Sequence, residues 1–256
     1  MAWVTKSSQE TYVNNETPRE YTKTERAGNW WHYHKWQVVA VIVALVLVAS
    51  FIKETVFSTK PDYQVAFVGI QNLPDDTVSA LTEALQSFGE DLNGDGQVSV
   101  LVNQYVLDMD KLSDTTEVDP YMQMAGLTRL SADISSRDGS FIYLLEDPAL
   151  FESYTEALSY LDGTIPADTD DSASLDWTRM VYRWTDCPVL TGLDLGSYGP
   201  DATQSGSGDS QAYMSQFYIG FRGAWNEGSA KSIAPGEPLW EKLTAGAVST
   251  AAEDAS

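Results

Sequence analysis

The spacing of apolar positions divides this chain in two. Val38 to Ile52 reads VVAVIVALVLVASFI, fifteen residues with no charge and one polar side chain, Ser50. That is short for a membrane span of roughly 20 residues, but its flanks supply the missing length. Trp30, Trp31, Tyr33 and Trp36 precede it, and Lys53 can snorkel ahead of Val56 and Phe57. The pattern predicts a tilted transmembrane helix over 36–57. A buried core helix is one alternative. A cleavable signal peptide is another, disfavoured by a charged leader of about 35 residues with no convincing A-x-A site after it.

Beyond a short stalk at Ser58–Pro61, strand and helix signals alternate. Tyr63–Ile70 is a β-branched and aromatic run suited to a buried strand. Pro74, followed by Asp75 and Asp76, opens a helix whose apolar stripe is Val78, Leu81, Leu85 and Phe88. Val98–Leu107 predicts a second strand. Asp119 and Pro120 predict an N-cap and first helical residue, with Met124, Leu127, Leu130 and Ile134 as the stripe running toward Gly139. Phe141–Leu145 predicts a third strand. Asp147 and Pro148 then start a third helix carrying Leu150, Phe151, Tyr154, Ala157, Leu158 and Leu161.

Three successive strand and helix units predict an α/β fold, a three-layer domain around a mainly parallel sheet. After an acidic loop (Asp168, Asp170, Asp171, Asp176) come three more strand candidates, Met180–Trp184, Val189–Leu195 and Phe217–Phe221, and a short helix from Pro238 to Leu243. The expected organisation is a flexible cytoplasmic tail at 1–35, the span at 36–57, an extracytoplasmic domain at 61–244 and a disordered tail at 245–256.

Charge sharpens that division. Of 15 Lys/Arg and 37 Asp/Glu, seven and five respectively lie at or before Lys60, leaving eight basic against 32 acidic residues beyond it. A surface near −24 repels nucleic acid and anionic lipid headgroups and favours solubility. Arg19, Lys23, Arg26 and Lys35 precede the span, against Lys53 and Lys60 after it, so the positive-inside bias places the N-terminus in the cytoplasm. The lone Cys187 has no partner for an internal disulfide.

The chemistry open to the distal domain is narrow. The two histidines, His32 and His34, both precede the span, which closes Ser-His-Asp, Cys-His and His-ligated zinc mechanisms to the domain. No P-loop and no G-x-G-x-x-G follows a strand. Among 32 acidic residues some carboxylate pair is inevitable, so a pair by itself points nowhere. The sequence favours a protein that is not an enzyme.

One stretch resembles a metal loop. DLNGDGQVSV, from Asp91 to Val100, matches the start of the EF-hand or dockerin pattern, with Asp91, Asn93 and Asp95 as oxygen ligands, Gly96 for the turn and the Gln97 carbonyl next. Position 12 is Val102, which cannot ligate. The same residues suit a tight turn, so the expectation is a structural turn, with calcium as the alternative and no cofactor required. The stretch also enters its strand at the amino end, whereas ligands of parallel α/β sheets bind outside the carboxyl ends. The expected rim is therefore Gln71, Asn72, Asp108, Asp110, Glu146 and Asp147.

The W-x-Y-H-K-W flank (Trp31–Trp36), the D-x-N-G-D-G-Q-V turn and the segment SFIYLLEDPALFESY together resemble uncharacterised single-pass membrane-anchored proteins of Gram-positive gut bacteria. That last segment, followed by LDGTIP, is also similar to one lobe of extracytoplasmic solute-binding proteins. The resemblance implies a three-layer α/β fold with ligand recognition and carries over no residue. The function expected is a membrane-anchored, non-enzymatic extracytoplasmic module for a small ligand or a membrane-protein partner. The alternatives are a carboxylate-based extracellular glycan hydrolase and an assembly subunit of a membrane complex.

Overall fold

A computed structural model describes residues 22–56, 60–111, 119–166, 175–201 and 205–253, with side chains of the first helix given as far as Val48. Expectations for residues 1–21, for the stalk at Ser58 and Thr59, and for Asp168, Asp170 and Asp171 lie outside them. The chain forms two compact units, residues 1–58 and 59–256.

The described part of the first unit is one helix, α1 (Lys23–Val56). It starts well before the predicted span, inside what was expected to be flexible tail. The cause is a capping box, T-x-x-E: Glu25 N–H donates to Thr22 Oγ1 (3.3 Å) and Thr22 N–H donates to Glu25 Oε2 (3.0 Å). Its stretch Lys23–Val48 is long and apolar enough to cross a membrane, with mean hydropathy 1.3 over its most apolar part, as a signal sequence also would be. Trp30, Trp31, Tyr33 and Trp36 are all exposed.

The second unit is a mixed α/β domain. Its strands are β1 (Tyr63–Gly69), β2 (Val100–Val106), β3 (Ile142–Leu145), β4 (Val181–Arg183), the short pair β5 (Ser197–Tyr198) and β6 (Gly208–Asp209), and β7 (Tyr218–Phe221). Five form one sheet in the order β2-β1-β3-β7-β4. β1 pairs in parallel with β2 and β3; β7 is antiparallel to both β3 and β4. Four of the five strands thus share one direction.

β1 is buried nearly throughout, and its side chains divide by parity between two apolar clusters. Tyr63, Val65 and Phe67 join Leu81 and Leu85 of α2 (Asp75–Gln86), Leu190 of α5 (Pro188–Thr191) and Leu239 and Leu243 of α8 (Glu237–Leu243). Ala66 and Val68 join Leu130 of α3 (Pro120–Ser135) and Phe151 of α4 (Pro148–Thr155). Two shorter helices, α6 (Ser210–Met214) and α7 (Glu227–Ile233), complete the set among the described residues.

Several expectations are corrected here. On α3 the buried positions are Gln123, Gly126 and Leu130, whereas Met124 is 72% exposed, so the predicted stripe is rotated about the helix axis. Gly126 sets that rotation: a Cβ there would lie 2.9 Å from the Val106 carbonyl, so the helix seats its glycine against the strand. The end of α3 is closed by Arg222, whose Nη2 donates to the carbonyls of Ile134 and Ser136. α4 stops at Thr155, because Glu156 turns left-handed (φ 48°) and Leu158 instead bridges to Arg222 beside β7. Val189–Leu195 is helix α5 and a turn, with Pro188 as its first residue. The tail beyond 244 docks as far as Glu253: Ala251 is buried, and Thr250 N–H and Oγ1–H donate to the Asp186 carboxylate at 2.7 and 2.6 Å.

Glu152 on α4 is the most conspicuous polar group in the second cluster. It is 1% exposed; Oε2 accepts from Leu158 N–H (3.1 Å), and Oε1 has no partner. Burial pushes its carboxyl up to about 7, against hydrogen bonds from Leu158 and Ala157 that act to lower it. A carboxyl with a raised folded pKa leaves stability intact below its unfolded value near 4.5 and removes it as pH rises toward the folded value. Replacing Glu152 by Gln keeps an acceptor for Leu158 and abolishes the titration. In chemical denaturation of the full-length chain in detergent, Glu152→Gln should match wild type below about pH 4 and exceed it by about 3 kcal/mol at about pH 8. A pH-independent difference would refute the assignment.

Candidate functional site

β1, β2 and β3 end side by side. Leu107 N–H donates to the Gly69 carbonyl (2.8 Å) and Glu146 N–H to the Val68 carbonyl (3.1 Å), which aligns the residues that follow each strand. β1 then leads into α2, which packs in the first cluster, and β3 into α4, which packs in the second. Neighbouring strands whose continuations leave toward opposite faces keep a crevice between them. A cleft of about 200 Å³ lies there, lined by Val68, Gly69, Ile70, Leu107, Asp108, Met109, Asp110, Glu146, Asp147 and Leu150.

Local structure positions Glu146, Asp147 and Asp108. Glu146 Oε2 accepts from Ile70 N–H (2.8 Å), crossing from the end of β3 to the end of β1. Gly69 makes room for it, since a Cβ there would approach Glu146 Oε2 and Phe67 Cζ to 2.8 Å. Asp147 caps α4, with Oδ1 accepting from Leu150 N–H (2.9 Å). Asp108 is largely buried, its backbone clamped by the Gln123 amide: Asp108 N–H donates to Gln123 Oε1 (3.0 Å) and Gln123 Nε2 donates to the Asp108 carbonyl (2.8 Å). Asp110 is exposed. Four of the six rim residues expected from sequence therefore share one cleft, whereas Gln71 and Asn72 do not line it.

Four carboxylates around an apolar lining of Val68, Leu107, Met109 and Leu150 attract cations and N–H or O–H donors and repel phosphates. Glu152, the carboxyl moved toward neutrality, does not line this cleft, so it offers no general acid there. Cys187 is buried, and burial, with Asp186 beside it, pushes its thiol up to about 12, which keeps it protonated and unreactive. A larger cleft of about 300 Å³, lined by Tyr160, Asp162, Arg222, Ile233, Glu237 and Trp240 among others, includes Phe221, which pairs with the first residue of β3. That places it toward the amino ends of the parallel strands.

The loop at Asp91–Gln97 also sits at the amino end, ahead of β2, and closes on itself. Asp91 Oδ1 accepts from Gly94 N–H (2.7 Å) and Oδ2 from Gly96 N–H (2.8 Å); Asn93 Oδ1 accepts from Asp95 N–H (2.9 Å) and Asp95 Oδ1 from Gln97 N–H (2.9 Å). Gly94 and Gly96 take the left-handed backbone these turns require. Val102 lies within β2, paired with Val65, so no acid closes a coordination shell from position 12. Among the described residues no group of three or more His, Cys, Asp or Glu could hold a metal ion.

Asp62, not singled out by sequence, ties this loop to the sheet. Its Oδ1 accepts from Leu92 and Asn93 N–H (2.8 and 2.9 Å) and its Oδ2 from Ser99 N–H and Oγ–H (2.8 and 2.9 Å). Burial acts to raise its pKa, but the hydrogen bonds from Ser99, Asn93 and Leu92 outweigh it and hold the carboxyl below the ordinary aspartate value. Nothing in the local sequence pairs Asp62 with a serine 37 positions away.

No protein-family model, curated protein or solved structure matches this chain.

Two stability measurements test the loop. Asp62→Asn should cost about 1–2 kcal/mol at neutral pH. Because the folded pKa is depressed, that difference should shrink as pH falls from about 4 through the lower folded value, as the wild-type carboxylate becomes protonated; a difference that persists at strongly acid pH would count against the carboxylate's role. Thermal unfolding of the full-length chain should give the same midpoint in calcium and in EDTA. A midpoint several degrees higher in calcium, and lost in Asp95→Ala, would establish a metal site at Asp91–Gln97.

Proposed function

We propose that this protein is a membrane-anchored, non-enzymatic binding module, held by α1 and presenting outside the cytoplasm an α/β domain of three layers, with helices on both faces of the sheet. The site is the acidic cleft at the carboxyl ends of β1, β2 and β3, and its occupant is a cationic or hydroxyl-bearing small ligand or a membrane-protein partner. The observation that carries this is the convergence of Asp108, Asp110, Glu146 and Asp147 on one cleft at the point where the chain leaves adjacent strands toward opposite faces. The three-layer arrangement is supported by the parity of β1, whose alternate side chains join α2 and α8 on one hand and α3 and α4 on the other.

The anchor is supported by the length and composition of Lys23–Val48 and by the exposed Trp30, Trp31, Tyr33 and Trp36 in its first half, which suit the headgroup level. Cytoplasmic placement of the N-terminus is supported by the excess of Lys and Arg on that side. The loop at Asp91–Gln97 is a brace in this scheme, because it lies at the amino end of β2, away from the cleft.

Two experiments test the proposal. The protein should remain with membranes through carbonate extraction; recovery in the soluble fraction would remove the anchor. A thermal-shift screen of the full-length chain in detergent against sugars, amino acids, polyamines and short peptides should find a stabilising compound, with a shift that is lost in Asp110→Asn. Stabilisation that survives Asp110→Asn unchanged would place the binding site elsewhere.

A further inference from the structure

The cleft does not stand alone on its rim. The Gln123 amide clamps the first turns of α3 to the backbone of Asp108, and on those turns Tyr121, Met122 and Met124 are 88%, 55% and 72% exposed. Ile70, itself part of the cleft lining, is 42% exposed. α3 carries no acidic residue before Asp133, in a chain of net charge −22. Tyr121, Met122 and Met124, next to the exposed cap Asp119, thus stand on the helix that Gln123 ties to a cleft carboxylate residue. Large flexible and aromatic side chains left in water are the composition of a protein-docking surface. The cleft's about 200 Å³ is also below the roughly 300–1,000 Å³ usual for a small-molecule pocket. It suits one anchoring side chain better than a whole ligand.

We propose that the carboxyl-end rim docks a basic polypeptide segment, one Lys or Arg entering the cleft between Asp108, Asp110 and Glu146 while apolar side chains beside it cover Tyr121, Met122 and Met124. Charge complementarity selects this occupant. An acidic or phosphorylated segment would meet four carboxylates, and a second copy of this chain would bring the same charge to the interface. The inference rests on the cleft being the binding site, and it replaces the free ligand of that reading with a polypeptide.

The test is fluorescence anisotropy with the full-length chain in detergent micelles and empty micelles as blank. The probe is a fluorescein-labelled nine-residue peptide of lysine, leucine and serine. One counterpart has its lysines replaced by glutamate, and another has its leucines replaced by serine. The basic apolar probe should bind, the glutamate probe should not, and the leucine-free probe should bind at least tenfold more weakly. Asp110→Asn and the double change Tyr121→Ser, Met124→Ser should each weaken the basic apolar probe about tenfold, whereas Glu227→Gln, which removes a charge outside the cleft, should leave it within about twofold. Equal weakening by Glu227→Gln would reduce the effect to net charge and overturn the proposal. If the leucine-free probe binds as well as the first and only Asp110→Asn matters, the cleft is a small-cation site: the docking proposal fails and the binding-module reading stands. If Asp110→Asn changes nothing, both fail.

Discussion

The domain is organised by the need to bury β1 on both faces and pair it on both edges. Tyr63–Gly69 has almost no polar side chain, so each of its faces must be covered and each of its edges bonded. Parallel partners can be reached only through long crossovers, and the crossovers carry helices. Once β2 pairs on one edge and β3 on the other, α2 packs with Tyr63, Val65 and Phe67, and α3 and α4 pack with Ala66 and Val68. Phe67 meets Phe217 edge-to-face at 5.1 Å, which draws the end of the long 184–217 excursion onto the same cluster. Within that excursion Gln211 is a further tie, its Nε2 donating to the Leu190 and Leu193 carbonyls and its Oε1 accepting from Trp184 Nε1.

The cleft follows from the same constraint. With β1 between β2 and β3, the exits from β1 and β3 lie next to each other but lead to helices that pack in different apolar clusters, and a cleft lies at the strand ends. The residues there are the ones a strand end and a helix start call for: an acid that caps (Asp147), an acid that accepts a neighbouring strand's orphan N–H (Glu146), and a glycine (Gly69) that leaves space for it. Asp108 is occupied too, its Oδ1 accepting from Lys111 N–H (3.2 Å), so three of the four carboxylates have structural tasks already. Asp110, exposed at the same cleft, has none of these tasks among the contacts described, which makes its substitution the cleaner probe of binding.

Much of the fold was legible. The strands around Val65, Val102 and Leu144 and the helices opened by Pro74, Pro120 and Pro148 announce themselves through local signals: β-branched runs, helix-starting prolines, and the capping aspartates Asp119 and Asp147. The errors fall where a distant contact outvotes a local one. Met124 looks like a core residue until Gly126 is seen to face the Val106 carbonyl, 2.9 Å from where a Cβ would stand. Leu158 continues an apolar stripe in sequence, yet its backbone is taken up by Arg222. The small and polar tail from Ala245 looks featureless, but the Asp186 carboxylate waits for Thr250. The helical start at Thr22 is a different case: the T-x-x-E signal was local and present, and its capping box is formed.

By itself the sequence determined the two-unit organisation, the alternation of strand and helix in the first half of the domain, the acidic surface, and the absence of histidine chemistry, because each is a property of composition or of short-range spacing. It also determined that candidate site residues follow the strands, since turn and cap acids stand at strand ends. Only the tertiary structure decided that β7 enters the sheet antiparallel between β3 and β4, that Asp108, Asp110, Glu146 and Asp147 line one cleft while Gln71 and Asn72 do not, and that Asp62 ties the loop at Asp91 to the sheet. Those outcomes rest on contacts between residues dozens of positions apart, and their pairing depends on which backbone groups the packed sheet leaves unbonded.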